Sequence, residues 1–246
     1  GLTSGGSLDG TLSIADESTV NVRAGMFSIS TMEGTSSSAI TIGTAQNAGG
    51  LTVGKASLNG ANVFLDPAWK DGGNLVSDAS IGVFESFANG AVDGRFAVGR
   101  NSLLVLGDKE SAWAQKAVQD ALDNADLTWG KDSVTAALAI KSSQKLSATG
   151  ALLVDGSLAT APSVTENTAT FAGQSLLVVN AAAADGEGAL QGDGTSRLSV
   201  DGGAKLHIMD VKGSQEYTVT SGFVNDKIEG WQGDDLIVSR LFNAAV

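Results

Sequence analysis

The chain has 246 residues, 42% of them hydrophobic, which is close to the globular norm and argues against a wholly disordered protein. Its formal net charge of −12 repels phosphate backbones and anionic lipid surfaces, so we expect no nucleic-acid partner and no peripheral membrane attachment. No apolar run approaches the about 18 residues of a transmembrane helix, so we expect no membrane insertion of this segment. The absence of cysteine fits a cytosolic protein and equally an exported one that crosses a pore unfolded.

The first part of the chain, residues 1–107, consists of short runs in which apolar and polar residues alternate. Turn-forming pairs such as Asp9-Gly10, Asn59-Gly60 and Asn89-Gly90 separate these runs. Runs this short and this closely punctuated predict β-strands joined by tight turns. Gly1 begins within this pattern, so we expect the chain to be an excised or processed segment.

One short device occurs five times: two apolar residues at alternate positions, a tight corner, and two more apolar residues at alternate positions. The copies are Leu12, Ile14, Ser18, Val20, Val22; Phe96, Val98, Ser102, Leu104, Leu106; Leu138, Ile140, Gln144, Leu146, Ala148; Ala169, Phe171, Ser175, Leu177, Val179; and Leu198, Val200, Ala204, Leu206, Ile208. Alternation on both sides of a corner indicates two strands that each bury one face. Repetition of such a unit is typical of a solenoid.

Residues 109–126 interrupt the β pattern. Trp113, Ala117, Ala121 and Ala125 follow a four-residue spacing that predicts an amphipathic helix with one narrow apolar stripe. We expect this helix to pack its stripe on the outside of the β-stack. The alternative is that it forms a docking element for a partner protein.

The residue types that carry catalysis are sparse. His207 is the only histidine, and alternation with Leu206 and Ile208 predicts that it faces solvent, as an exposed structural residue. One histidine without cysteine excludes the usual structural zinc sites. The repeated Ser18, Ser102 and Ser175 are expected at equivalent corners, where a hydroxyl bonds nearby backbone groups.

Carboxylate pairs are the remaining candidates for acid–base chemistry or metal binding. The candidate pairs are Asp193 with Asp201, Asp234 with Asp235, and Asp66 with Asp71. They lack the flanking aromatic residues that a sugar-binding groove usually has. Residues 230–237 fit a calcium-binding nonapeptide only in part and only once, which favours an ordinary corner. We therefore expect no catalytic, cofactor-binding or metal site.

Residues 96–105 and 198–208, together with the tail segments 217–223, 230–236 and 239–241, resemble the passenger domains of bacterial AIDA-type autotransporters. The resemblance implies a right-handed parallel β-helix, here all-β with one inserted helix. It also implies export to the cell surface, attached to or released from the outer membrane, with a membrane barrel downstream of this segment.

The resemblance divides the chain into β-helix coils over 1–216 and a C-terminal cap over 217–246. This cap corresponds to the end of the family's autochaperone region, which folds first and templates the other coils. We expect Tyr217, Phe223, Trp231 and Leu236 to form the core of the cap.

The function expected from the resemblance is a non-enzymatic passenger segment that supports adhesion or cell aggregation. Its partners would be a ligand on a host or bacterial surface, or further copies of itself. Two alternatives stay open at the level of sequence. One is a polysaccharide-acting enzyme on a β-helix scaffold, and the other is a subunit of a phage or surface-layer fibre.

Overall fold

The computed structural model describes residues 1–67, 75–107, 111–123, 134–184, 186–201, 204–210 and 217–224. Its helix is α1 (Ser111–Asp123). The strands in chain order are β1 (Gly6–Ser13), β2 (Thr19–Val22), β3 (Gly25–Glu33), β4 (Ala39–Ile42), β5 (Gly49–Ser57), β6 (Asn62–Leu65), β7 (Ser80–Phe84), β8 (Arg95–Val98), β9 (Ser102–Leu106), β10 (Ala136–Ile140), β11 (Gln144–Lys145), β12 (Ala151–Asp155), β13 (Thr168–Ala172), β14 (Ser175–Asn180), β15 (Leu190–Gln191), β16 (Arg197–Val200), β17 (Lys205–Met209) and β18 (Thr220–Ser221).

These strands form three sheets in which neighbouring strands run parallel. Sheet 1 has the order β1-β3-β5-β7-β9-β10-β14-β17, sheet 2 the order β16-β13-β12-β8-β6-β4-β2, and sheet 3 the order β11-β15-β18. The chain passes repeatedly from one sheet to another, so sheets 1 and 2 gain one strand with most turns of the chain, whereas sheet 3 gains its three strands only from β11 onward. The protein is therefore a parallel β-helix, with one inserted α-helix among the described residues, which confirms the predicted fold class.

Matching interior side chains stack from coil to coil, where a coil is one turn of the β-helix. One interior column of sheet 2 consists of Val20, Ile40, Val63, Phe96, Leu152, Ala169 and Leu198. Full burial of a Val, Leu, Ile or Phe side chain contributes about 1.5–3 kcal/mol. A slip of one residue would turn every member of the column outward, so the column fixes the register.

The five copies of the repeated device do not occupy one position in the coil. The copies that begin at Phe96, Ala169 and Leu198 each connect sheet 2 to sheet 1. The copy at Leu12 makes the opposite passage from sheet 1 to sheet 2, and the copy at Leu138 leads from sheet 1 to sheet 3. The device is therefore the pattern of any tight corner between buried strands, which explains its irregular spacing.

Helix α1 connects β9 to β10, which are adjacent strands of sheet 1. It lies within the predicted 109–126, whose outer residues lie outside the described ranges. Ala114, Ala117, Val118 and Ala121 of α1 are buried in one cluster with outward-facing residues of β7, β9, β10 and β14. The expected packing on the outside of the stack is thus confirmed.

The outer face of sheet 1 changes character along the stack. One outward column reads, in strand order from β1 to β17, Ser7, Ser28, Thr52, Val83, Val105, Ala139, Val178 and His207. The first three members are polar, and the four that follow are apolar and buried in the cluster that contains the α1 stripe. From β7 to β14, sheet 1 therefore has a core on each of its two faces.

A second excursion lies on the sheet 2 side, where residues 156–167 connect the adjacent strands β12 and β13. The backbone oxygen of Leu158 accepts a hydrogen bond from Arg100 N at 3.0 Å. Arg95 Nη1 forms an ion pair with Glu166 Oε1 at 3.0 Å. Arg95 also donates to Gly60 O at 2.6 Å and to Ser36 O at 2.8 Å, so one side chain joins two earlier coils to this excursion.

Candidate functional surface and folding cap

The last described segment, residues 217–224, continues the stack. Its strand β18 pairs in parallel with β15. The backbone nitrogens of Ala189 and Leu190 donate to Val219 O at 2.9 and 3.0 Å, and Gly192 N donates to Ser221 O at 2.7 Å. These bonds hold the segment on the preceding coil.

Tyr217 and Phe223 lie inside this segment and are each only 4% exposed. With Val219 they belong to the same hydrophobic core that runs through the earlier coils. The structure thus places two of the four cap candidates at the C-terminal end of the described core. Trp231 and Leu236 lie outside the described residues, and the role of all four as a folding cap stays a prediction.

Two glycines allow the backbones to meet in this region. A Cβ atom on Gly192 would lie 2.5 Å from Gly222 O, which is closer than real Cβ contacts allow. Gly222 has a φ of 72°, in the left-handed region that side chains other than glycine rarely adopt. The approach of these two coils therefore requires glycine at both positions.

The prediction that His207 faces solvent is wrong, since the residue is only 3% exposed. Its Nε2 lies 3.1 Å from Met209 Sδ, and its buried Nδ1 has no hydrogen-bond partner in the described part of the chain. Burial lowers the pKa of the ring, and the negative charge of Asp120 on α1 partly offsets that effect by raising the pKa. Alternation correctly predicted that His207 lies on the outer face of its strand, but it could not show that this face is covered.

The three repeated serines are not all at equivalent corners. Ser102 and Ser175 both pair with Ala136 across sheet 1, whereas Ser18 precedes β2 of sheet 2. Ser18 Oγ donates to Asp16 O at 3.4 Å, and Ser102 Oγ donates to Leu65 O at 3.2 Å, as expected for corner hydroxyls. Ser175 differs, because its buried Oγ has no hydrogen-bond partner in the described structure.

The carboxylate of Asp193 organises a turn. Its Oδ1 accepts hydrogen bonds from the backbone nitrogens and hydroxyls of Thr195 and Ser196 at 2.7–2.9 Å. These bonds hold the pKa of Asp193 far below its usual range, and the bond from the Thr195 hydroxyl has the largest effect. Asp201 lies beyond the other end of β16, so the structure does not bring this pair together.

The other carboxylate candidates are only partly described. Burial raises the pKa of Asp66. Its partner Asp71, the pair Asp234 and Asp235, and the whole of 230–237 lie outside the described residues. In the part of the chain that is described, no three His, Cys, Asp or Glu side chains are grouped so that they could hold a metal ion.

Polar side chains on the outer face of sheet 2 form the broadest candidate surface for a ligand. The exposed and half-buried members of this face at its two ends are Thr19, Asn21, Thr41, Thr168, Thr170, Arg197 and Ser199. Between these ends the outward Phe64, Ala97 and Ala151 are buried, whereas the outward Asn62 of β6 is exposed. The outer face of sheet 2 thus offers two separate polar patches.

Comparison with known proteins assigns no family. No protein-family model matches the chain, and searches of curated proteins and of solved structures found no match. Across the described ranges, no helix has the length and apolar character to cross a membrane.

Proposed function

We propose that this chain is a passenger segment of a surface-displayed autotransporter, without enzymatic activity. Its polar outer surface supports adhesion or cell aggregation, and its C-terminal coils start the folding of the passenger. The observation that carries the proposal is a parallel stack that continues through the described strands, with a core that extends into the last described coil through Tyr217 and Phe223. The resemblance of the repeated corners and of the tail to passenger domains of this type further supports the proposal.

The folding role is supported by the uneven burial of the strands of sheet 1 along the stack. From β7 to β14, the strands of sheet 1 are covered on both faces, whereas β1, β3 and β5 carry exposed outward residues. In a stack where each coil contacts mainly its neighbours, local stability follows local burial. The N-terminal coils are therefore an unfavourable place for folding to start, which leaves the nucleus to later coils, because parallel pairing between distant residues is slow to start.

The adhesive role is supported by the form of the outer surface. The two polar patches on sheet 2 display hydroxyl, amide and guanidinium groups at the regular spacing of neighbouring strands. Repeated weak contacts between surfaces gain strength by multivalency. The net charge of −12 opposes close approach of two copies, so contacts require hydrogen bonds, a cationic partner or bridging by divalent cations.

Refolding kinetics test the nucleus with matched leucines. Leu51 in the N-terminal coils and Leu190 beneath the C-terminal coil are both fully buried, so truncation of either to alanine costs about 2–5 kcal/mol. If the C-terminal coils fold first, Leu190→Ala and Phe223→Ala slow refolding, whereas Leu51→Ala mainly accelerates unfolding. Slower refolding of Leu51→Ala alone would reject a C-terminal nucleus.

Display on bacterial cells tests the adhesive role. Cells that export this chain to their surface should settle faster, or bind more to epithelial cells, than cells that display an unrelated β-helix at equal density. Substitution of Thr168, Thr170 and Ser199 by lysine should change this binding while secretion stays normal. Equal settling and binding of both cell types would reject adhesion. A stable trimer of the purified chain in sedimentation would favour a fibre subunit. Cleavage of polysaccharides by the purified chain would favour an enzyme.

A further inference from the structure

The apolar part of the outer face of sheet 1 ends at a titratable residue. Val178 of β14, which belongs to the cluster beneath α1, pairs directly with His207 of β17. Met209, on the same face as His207, packs against that cluster, and its sulfur lies 3.1 Å from the His207 ring. A positive charge on His207 would therefore lie directly beside the apolar cluster that joins α1 to sheet 1.

The surroundings of His207 favour a neutral ring. The ring is almost fully buried, and its Nδ1 has no hydrogen-bond acceptor among the described residues that could stabilise a second N–H. The charged groups on the described elements around it are Asp120, its ion-pair partner Lys116 and Asp123 on α1, and Lys205 on β17 with Asp210 next to it. From β14, its neighbour in the register is the apolar Val178.

We propose that α1 is an acid-released clasp, which dissociates from the outer face of sheet 1 when His207 takes up a proton. A charged imidazole needs water or an acceptor at both nitrogens, and separation of α1 from β14, the strand that pairs with β17, lets water reach the ring. The apolar face of sheet 1 from β7 to β14 then becomes accessible. This inference does not depend on the proposed surface function.

The direction of the pH dependence follows from burial. Burial lowers the pKa of His207 in the docked state below the ordinary value of 6.5, and Asp120 reduces this shift without reversing it. The released state therefore binds more protons than the docked state below about pH 6.5, so docking of α1 weakens as the pH falls. If docking lowers the pKa of His207 by one unit, the equilibrium constant for release of α1 is about ten times larger with His207 protonated than with His207 neutral.

Hydrogen exchange of the full chain, measured by mass spectrometry between pH 7.5 and 5.5, tests the clasp. After correction for intrinsic rates, amides of α1 should lose protection as the pH falls, while amides of β3 to β5 should not. His207→Leu should abolish the response, and His207→Gln, which keeps a polar side chain without the titration, should do the same if the leucine variant does not fold. Asp120→Asn, which removes the charge that favours the protonated ring, should enhance the response.

Three results would overturn the clasp. Protection of α1 in the wild type that is independent of pH would show that His207 does not control docking. An unchanged pH response in both His207 variants would assign the response to another group. Loss of protection in residues 205–209 while α1 stays protected would show that acid frays the edge strand β17 instead of releasing the helix.

Discussion

The two halves of the stack are built from similar coils but differ in what covers them. In the N-terminal coils, from β1 to β6, sheet 1 has one core on its inner face and exposed residues such as Ser28 on its outer face. From β7 to β14, the same sheet also has a second core beneath α1. The difference shows that a parallel β-helix can become thicker locally without changing its coil, because only the outward residues and one insertion change.

The first way to break this comparison is to place a charge in the outward column of each half. Val105 and Thr52 belong to the same column, Val105 beneath α1 and Thr52 on the side that is not covered by the helix. We expect Val105→Asp to cost more than about 4 kcal/mol, since it buries an unpaired carboxylate, and Thr52→Asp to cost less than about 0.5 kcal/mol. Both variants add one negative charge, so thermal denaturation compares them directly, and equal losses would refute a second core.

A smaller effect is expected where the two halves are joined by Arg95. Its side chain is 17% exposed and bonds to Gly60 O, Ser36 O and the Glu166 carboxylate. Arg95→Ala should cost about 2 kcal/mol, because backbone oxygens of two N-terminal coils lose a charged donor. Glu166→Gln removes only the exposed ion pair and should cost less than about 1 kcal/mol, as measured by urea denaturation. Equal costs would mean that the ion pair, and not the backbone contacts, joins the coils.

The smallest effect concerns two corner serines of sheet 1. Ser102→Ala removes the hydrogen bond to Leu65 O and should cost about 1 kcal/mol. Ser175→Ala removes a buried hydroxyl that has no partner in the described structure, so it should be neutral or slightly stabilising. Thermal denaturation of the two single variants gives the test, and a larger loss for Ser175→Ala would contradict the assigned hydrogen bonds.

The sequence was sufficient to predict the coils, because residues such as Val20 and Val22 alternate with polar neighbours on both sides of each corner. It was also sufficient to predict the α1 stripe and its place on the stack. Equivalence between coils was harder to assign, since Phe96 and Leu138 begin similar corners in different sheets. Alternation defines inside and outside, but it does not define which sheet a strand joins.

The burial of His207 could have been predicted from a signal that alternation hides. Strands β9, β10 and β14 read as continuous apolar runs, which is typical of strands that are covered on both faces. Together with an amphipathic helix inserted between β9 and β10, these runs indicate a covered outer face. His207 lies next to the buried Val178 because of the register between β14 and β17. Local sequence does not specify this register.

The measurement that tests the central claim most directly is native-state hydrogen exchange in mild denaturant, resolved by coil. If the second core sets local stability, amides of β3 to β6 exchange through openings of lower free energy than amides of β9, β10 and β14. Exchange at equal free energy throughout the stack, or greater protection in the N-terminal coils, would contradict this account.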